Sequence, residues 1–265
     1  MVGRRARFVV KFKKGVRSQM SVAVLLPTYC EAGNIETLIQ EIEELKLDLL
    51  VAVVDDSSPD GTAEIVRRLQ EEYGNIVLFM RPEKLGLGTA ITTGFQGLLS
   101  LKRPPDYIVT MDADYSHNPR DILRLLRVAE DGCDLVVGSR YCQGGKIEGW
   151  NSVRWLISRL ANLIASAVVR TKLRDCTSGL RCYTRRYIEK VLPELHSQTY
   201  EIQIETVKQA RLKGFRVREM PITFVNRKLG KSKLTGAEFK GFISYVTKTM
   251  FGNLVSYLMK ALKLI

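Results

Sequence analysis

Four carboxylates stand out by position. Asp55 and Asp56 close one apolar run, and Asp112 and Asp114, in MDAD, close another. Acids packed together repel unless a cation or hydrogen bonds compensate. A D-x-D pair suits Mg²⁺ or Mn²⁺, hard cations that take a few carboxylate oxygens and complete their shell with substrate phosphates. A single Asp at such a place caps a turn equally well; two pairs ending two runs favour the ligand reading. The cations lie further along the chain. Arg140 sits in VGSRY, Arg154 and Ser158 are four residues apart and so share one face of a helix, and NRKLGKSK (226–233) holds four cations and a glycine in eight residues. The planar fork of arginine grips phosphate oxygens with paired hydrogen bonds. On residue type alone, Arg154 also fits a solvated helix face and NRKLGKSK a solvated loop. GLGTAITTG (86–94) looks faintly like a dinucleotide fingerprint. Its third glycine comes too late for G-x-G-x-x-G and it follows the third strand rather than the first, so it reads as a loop opening a helix.

The elements that must position these groups alternate. VAVLLP (22–27), LLVAVVDD (49–56) and IVLFM (76–80) are apolar runs of the kind that form buried parallel strands. Residues 107–111 predict a fourth strand and 135–137 a short fifth. Between them, Ile35, Leu38, Ile39, Ile42 and Leu45 line one face of a helix with Asn34 as its N-cap. Further helices are expected after the turn at Pro59–Gly61, from about Gly86 to Leu101, and over 119–130 with Pro119 in the first turn. This β-α order implies an α/β fold with a mostly parallel central sheet flanked by helices. Ligands bind such sheets at the carboxyl ends of the strands, so the four carboxylates should converge there. Beyond residue 145 the alternation stops. A helix over about 150–169, irregular chain to Cys182, two helices and a strand-like segment (215–224) are expected, then a charged loop (225–236) and amphipathic helices (237–265).

Composition narrows the partners. The 41 Lys and Arg against 28 Asp and Glu leave a formal charge of +13, which favours a polyanionic partner such as nucleic acid, an anionic membrane face or phosphorylated substrates. No nucleic-acid motif occurs, and the cations cluster with glycines and apolar helices, so no nucleic-acid partner is expected. Five cysteines without a C-x-x-C pair argue against a disulfide framework and for a reducing compartment. Residues 1–20 form a basic segment without the apolar core of a secretory signal. No stretch reaches the roughly 18 uncharged apolar residues of a membrane span. The apolar stretch 155–169 contains Arg159, and the tail carries Lys240, Lys248, Lys260 and Lys263, a pattern suited to an interface.

PTYCE (27–31), VDDSSPDGT (54–62), the glycine segment, MDADYSHNP (111–119) and VGSRY (137–141) occur in this order. As an ordered set they resemble family 2 glycosyltransferases, most closely the dolichol-phosphate mannose synthases, over about residues 21 to 236. Two departures are Cys30, where the family usually has Asn, and Ser116, where several relatives carry a metal-holding Gln. The resemblance implies a GT-A fold, with the catalytic domain over 21–224, a basic acceptor loop over 225–236 and membrane-interface helices over 237–265. It implies a nucleotide-sugar pocket lined by Pro27, Tyr29, Glu31, Val54, Asp56, Asp112, Ala113, Asp114 and Arg140. Mg²⁺ or Mn²⁺ would sit on Asp112, Asp114 and Ser116. Arg140, Arg154, Ser158 and Arg227 would bind the acceptor phosphate, with Asp114, Arg140 and Arg154 central to catalysis. The implied donor is GDP-mannose and the implied acceptor dolichyl or polyprenyl phosphate, met at the cytoplasmic side of a membrane; UDP-glucose on the same lipid is the alternative. Membrane subunits or self-association are compatible with the same pattern. DCTSG (175–179) also resembles a family segment and is expected on the acceptor side, without a catalytic role.

Overall fold

In the computed structural model, which describes residues 21–227 and 241–251, a seven-stranded sheet carries helices on both faces. In chain order the first elements are β1 (Val22–Thr28), α1 (Ile35–Glu43), β2 (Leu49–Asp55), α2 (Thr62–Tyr73), β3 (Ile76–Met80), α3 (Leu87–Leu99), β4 (Tyr107–Thr110), α4 (Asp121–Glu130) and β5 (Leu135–Ser139). Then come β6 (Lys146–Glu148), α5 (Ser152–Val169), β7 (Arg181–Thr184), α6 (Arg185–Val191), α7 (Ile202–Leu212), β8 (Val217–Pro221) and β9 (Thr223–Val225). Residues 241–251 are helical. The expectations for residues 1–20, for most of the basic loop and for the end of the tail lie outside the described residues.

The continuous apolar strands are buried on both sides, as their composition requires. Alternate residues serve opposite faces: Ala23, Leu25, Leu50, Ala52 and Val54 face one core, and Val22, Val24, Leu26, Leu49, Val51 and Val53 the other. The first core is closed by α3, α6 and α7 with the end of α5. The second is closed by α1, α2 and α4.

The sheet order is β3-β2-β1-β4-β7-β5-β8. β1 pairs in parallel with both β2 and β4, so the chain winds outward in two directions from the β1/β4 boundary. A crevice opens at such a switch point, beyond the carboxyl ends of the two strands. The loops carrying Tyr29, Glu31, Asp112 and Asp114 leave from there.

Two features depart from the sequence reading. The chain before Cys182 ends in β7, which is antiparallel to both β4 and β5 and so reverses the sheet. Its first residue, Arg181, is fully buried. The guanidinium donates to the carbonyls of Cys176, Ser178 and Gln203 and to the Thr206 hydroxyl at 2.6–2.8 Å, tying the loop before β7 to α7. The strand-like segment 215–224 also divides in two. β8 joins the main sheet, whereas β9 pairs with β6 in a separate two-stranded ribbon. Pro221, which has no N–H to donate, stands at the break, and Ile222 bonds to Ser139 and Lys146.

Candidate active site

An open cavity of about 630 Å³ lies at the switch point. It is lined by Pro27, Tyr29, Glu31 and Asp56 at one end, by Asp112, Ala113 and Asp114 in the middle, and by Arg140, Arg154, Ser158 and Arg227 at the other. Three left-handed non-glycine residues, Cys30 (φ 55°), Ser57 (54°) and Tyr115 (61°), shape the loops after β1, β2 and β4. Such backbone is unfavourable for side-chain-bearing residues and is concentrated at ligand loops.

The first end is braced by groups that residue type alone did not single out. Arg81 reaches Asp56 Oδ1 through Nε at 2.6 Å and through Nη2 at 2.5 Å, while the Leu85 amide donates to Oδ2 at 3.1 Å. Glu31 accepts from Asn34 Nδ2 at 2.8 Å, so Asn34 serves the site rather than capping α1 with its side chain. Lys84 Nζ stands 4.7 Å above the Tyr29 ring. The glycine segment packs on the backbone of residues 197–198, and Gly86, Leu87 and Ala90 also line the cavity. Gly88 N and Thr89 N donate to the Gln198 carbonyl, and a Cβ on Gly88 would lie 2.3 Å from the Ser197 oxygen. The amides opening α3 are thus satisfied by this chain's own backbone.

Three sequence expectations need correction. Asp55 does not face the cavity: it is fully buried and accepts from the Thr28 and Ser58 hydroxyls and the Ser58 amide, latching two loops. Val54, two residues before Asp56 and deeper in β2, packs its side chain into the sheet core and does not line the crevice. Ser116 does not line the cavity. Its amide donates to Asp114 Oδ1 at 3.1 Å, and its carbonyl accepts from Val225. It therefore orients Asp114 through the backbone.

His117, absent from the expected set, lines the cavity instead. It is almost fully buried, with Nε2 3.3 Å from Asp112 Oδ2 and its ring edge-on to Phe224. Burial would raise the Asp112 pKa. Contact with His117 and the charges of Arg227 and Arg140 outweigh it and hold the carboxyl below its usual range. Asp114 Oδ2 pairs with Arg227 Nη2 at 3.0 Å. No cluster of three or more His, Cys, Asp or Glu capable of holding a metal occurs among the described residues. Two hard carboxylates separated by one residue on the cavity wall fit Mg²⁺ or Mn²⁺, whose remaining ligands substrate phosphate and water would supply.

At the other end, Arg140 is clamped. Nε and Nη2 bind Asp175 at 2.7 and 2.8 Å, Nη2 reaches Thr177 Oγ1 at 2.6 Å, and the Arg140 amide also donates to Asp175. Burial would raise the Asp175 pKa, but the Arg140 charge and hydrogen bonds hold it low. Burial would lower that of Arg140, but Asp175 raises it. DCTSG is thus the mount of Arg140. Arg154 donates to Asn226 Oδ1 at 2.9 Å, and Ser158 accepts from the Tyr141 hydroxyl at 2.8 Å. Burial, then the charges of Arg227 and Arg140, lower the Arg154 pKa; Asp114 acts against them.

Gly179, the last residue of DCTSG, lies against Asp112: a Cβ there would stand 2.6 Å from both carboxylate oxygens. Its φ suits any residue, so alanine would displace Asp112 rather than strain the backbone. Gly179→Ala is expected to lower turnover about a hundredfold, the scale of a 1 Å misplacement, and to weaken Mn²⁺ binding while the thermal midpoint moves little. Unchanged turnover and metal titration would contradict this contact.

The sequence profile for Glycosyl transferase family 2 matches residues 23–192. The chain is 36% identical over 227 residues to a polyprenol monophosphomannose synthase of Mycolicibacterium smegmatis, covering 85% of each chain. It is 37% identical over 219 residues to an undecaprenyl-phosphate mannosyltransferase of Micrococcus luteus, covering 82% of this chain and 88% of the relative. Among solved structures, glucosyl-3-phosphoglycerate synthase from Mycobacterium tuberculosis, in complex with Mn²⁺, UDP and glucosyl-3-phosphoglycerate, superposes with a TM-score of 0.62 at 17% identity. That match covers 88% of this chain and 79% of the other. A mannosyltransferase from Pyrobaculum calidifontis in complex with GDP-Man and Mn²⁺ gives 0.58 at 21% identity, covering 89% and 64%. These structural likenesses establish the shared GT-A fold. With the profile covering residues 23–192, which hold six of the seven strands of the sheet, and two relatives above a third identity across most of both chains, this chain belongs to glycosyltransferase family 2.

Proposed function

We propose that the chain transfers mannose from GDP-mannose to the phosphate of a dolichyl or polyprenyl lipid at a membrane surface, with inversion at the sugar carbon. The observation that carries this reading is the division of one cavity: Asp112 and Asp114 stand between a pocket at Tyr29 and Asp56 and a cluster of three arginines, Arg140, Arg154 and Arg227. The names of the two relatives above supply the sugar and the lipid class.

The arginines draw in the acceptor phosphate and offset its repulsion from the donor diphosphate. A phosphate monoester has a second pKa near 6 and is mostly dianionic at pH 7. One of its oxygens attacks C1 of the sugar as the bond from C1 to the diphosphate oxygen breaks, and that electron pair leaves with GDP. No proton need move, so no general base is required. Positioning and charge neutralisation supply the catalysis. Asp112 and Asp114 would hold Mg²⁺ or Mn²⁺, whose contribution when bound is positive charge beside the leaving diphosphate.

The membrane reading rests on α5. Val153, Leu156, Ile157, Leu160 and Leu163 are each more than half exposed, on the helix that places Arg154 and Ser158 in the cavity. By length and composition α5 could cross a bilayer, and little of it is buried in the protein. Lying against the bilayer instead, it would shield this apolar face and set the two phosphate-binding residues at headgroup depth. Ile243, Met250 and Phe251 add exposed apolar surface on the helix over 241–251. The cytoplasmic side, where nucleotide sugars are supplied, is the face proposed.

The test is incubation with GDP-[¹⁴C]mannose, Mg²⁺ and a polyprenyl phosphate. Label in an organic-extractable, mild-acid-labile product supports the reading. Transfer only from UDP-glucose would replace the donor, and label remaining wholly aqueous would overturn the reaction.

A further inference from the structure

Trp150 stands immediately before α5 and lines the acceptor end of the cavity. The Arg154 guanidinium carbon lies 4.2 Å above its ring centroid, and that of Arg140 lies 5.7 Å away. The indole is itself held from behind by the edge of Phe224, with centroids 5.4 Å apart, and Phe224 in turn meets His117 beside Asp112. The indole Nε1 is buried and finds no hydrogen-bond partner among the described residues. A buried N–H without an acceptor costs free energy that a ligand oxygen would recover. A cation over an indole face is attracted by the ring quadrupole, most strongly where water is excluded.

We infer that Trp150 is a positioning residue for the acceptor phosphate: its ring face sets the Arg154 guanidinium, and its indole N–H is a further donor to the same anion. The inference rests on the lipid-phosphate reading above. Among the described residues Arg154 has one hydrogen-bonded anchor, Asn226, through Nη1, which leaves the plane of the guanidinium free to turn about that bond. The indole removes that freedom by offering a flat surface on one side. The lowered pKa of Arg154, from burial and then from Arg227 and Arg140, is consistent with cations crowded together in want of an anion. The aromatic row from His117 through Phe224 to Trp150 then fixes the spacing between the carboxylates on one side and the arginines on the other. Neither function requires Trp150 to touch the donor.

The experiment compares full-length wild type, Trp150→Leu and Trp150→Phe in steady-state kinetics, varying polyprenyl phosphate at saturating GDP-mannose and then the reverse. Leucine removes both the aromatic face and the N–H; phenylalanine removes the N–H and keeps an aromatic face, smaller than that of indole. Trp150→Leu is expected to raise the acceptor KM about tenfold, the ratio typical of a desolvated cation–aromatic contact, with the donor KM unchanged. Trp150→Phe should recover part of that loss, its remaining deficit against wild type reading the N–H donor. Calorimetric titration with GDP and Mn²⁺, unchanged in both variants, shows that the donor half is folded. Acceptor KM values in Trp150→Leu equal to wild type overturn the inference, as does a parallel rise in both KM values or a Phe variant as impaired as Leu. In either case an active wild type leaves the lipid-phosphate reading standing. A wild type that transfers nothing to polyprenyl phosphate removes both.

Discussion

Asp114→Asn is expected to reduce turnover on the order of a thousandfold, with little loss of stability. The carboxylate accepts the Ser116 amide on Oδ1 and faces Arg227 across 3.0 Å on Oδ2. Asparagine has the same shape and can still accept from Ser116. Its amide nitrogen would then point a donor at the Arg227 guanidinium and offer no charge to a divalent cation. Removing one preorganised electrostatic contact at a reacting centre typically lowers turnover by about 10²–10³. The upper end is expected here because two charges lose their partner. Mn²⁺ titration followed by electron paramagnetic resonance should show weakened binding alongside the kinetic loss. Near-wild-type turnover would remove Asp114 from the site.

Arg154→Ala should lower turnover by about 10²–10³ even at saturating lipid phosphate while leaving GDP affinity within about twofold. The first effect follows from its place on α5, facing the cavity beside Ser158 and Arg227. The second follows from position along the cavity wall: the end proposed for the nucleotide is built by Tyr29, Glu31 and Asp56 on other loops. Stability should hold or improve slightly, since two neighbouring guanidiniums already disfavour the charge at this position. Kinetics at saturating lipid phosphate and a GDP titration together check both halves. Full activity in that assay would refute the role.

The parts of this molecule legible in the sequence are those governed by local pattern. The apolar runs marked β1 to β5, and the spacing of Ile35, Leu38, Ile39 and Ile42 marked α1. The rule that ligands meet strand ends brought Tyr29, Glu31, Asp56, Asp112 and Asp114 to one cavity. It failed one residue away at Asp55, where side-chain alternation rather than position decides which carboxylate faces the ligand. It failed again at Val54, which has the parity of Asp56 but lies one step deeper in β2, inside the core. Non-local support was not legible. Arg81 lies 25 residues from Asp56, and Asp175 lies 35 from Arg140. Family resemblance brought DCTSG to the acceptor side but did not pair Asp175 with Arg140, and nothing marked Arg81, since an Asp or Arg reads as surface until the fold buries it. β7 was hidden because RCYT opens on an arginine and shows no alternation, yet it sits among the central strands.

That reversed strand has a consequence for how the enzyme can move. Because β7 runs against its neighbours, the residues preceding it, rather than those following it, arrive at the crevice, and they come directly from α5. Asn162 on α5 accepts the Cys176 amide at 2.7 Å and donates to Thr177 Oγ1 at 3.0 Å, and Asp175 beside them grips Arg140. Helix, loop and clamp are therefore coupled as one lever. With α5 on a bilayer as proposed, a tilt of the helix would carry Arg154, Ser158 and the Asp175 mount together, and its pull on Arg140 would change the gap between the arginines and the carboxylates without disturbing the strands that lead to Tyr29 and Asp56.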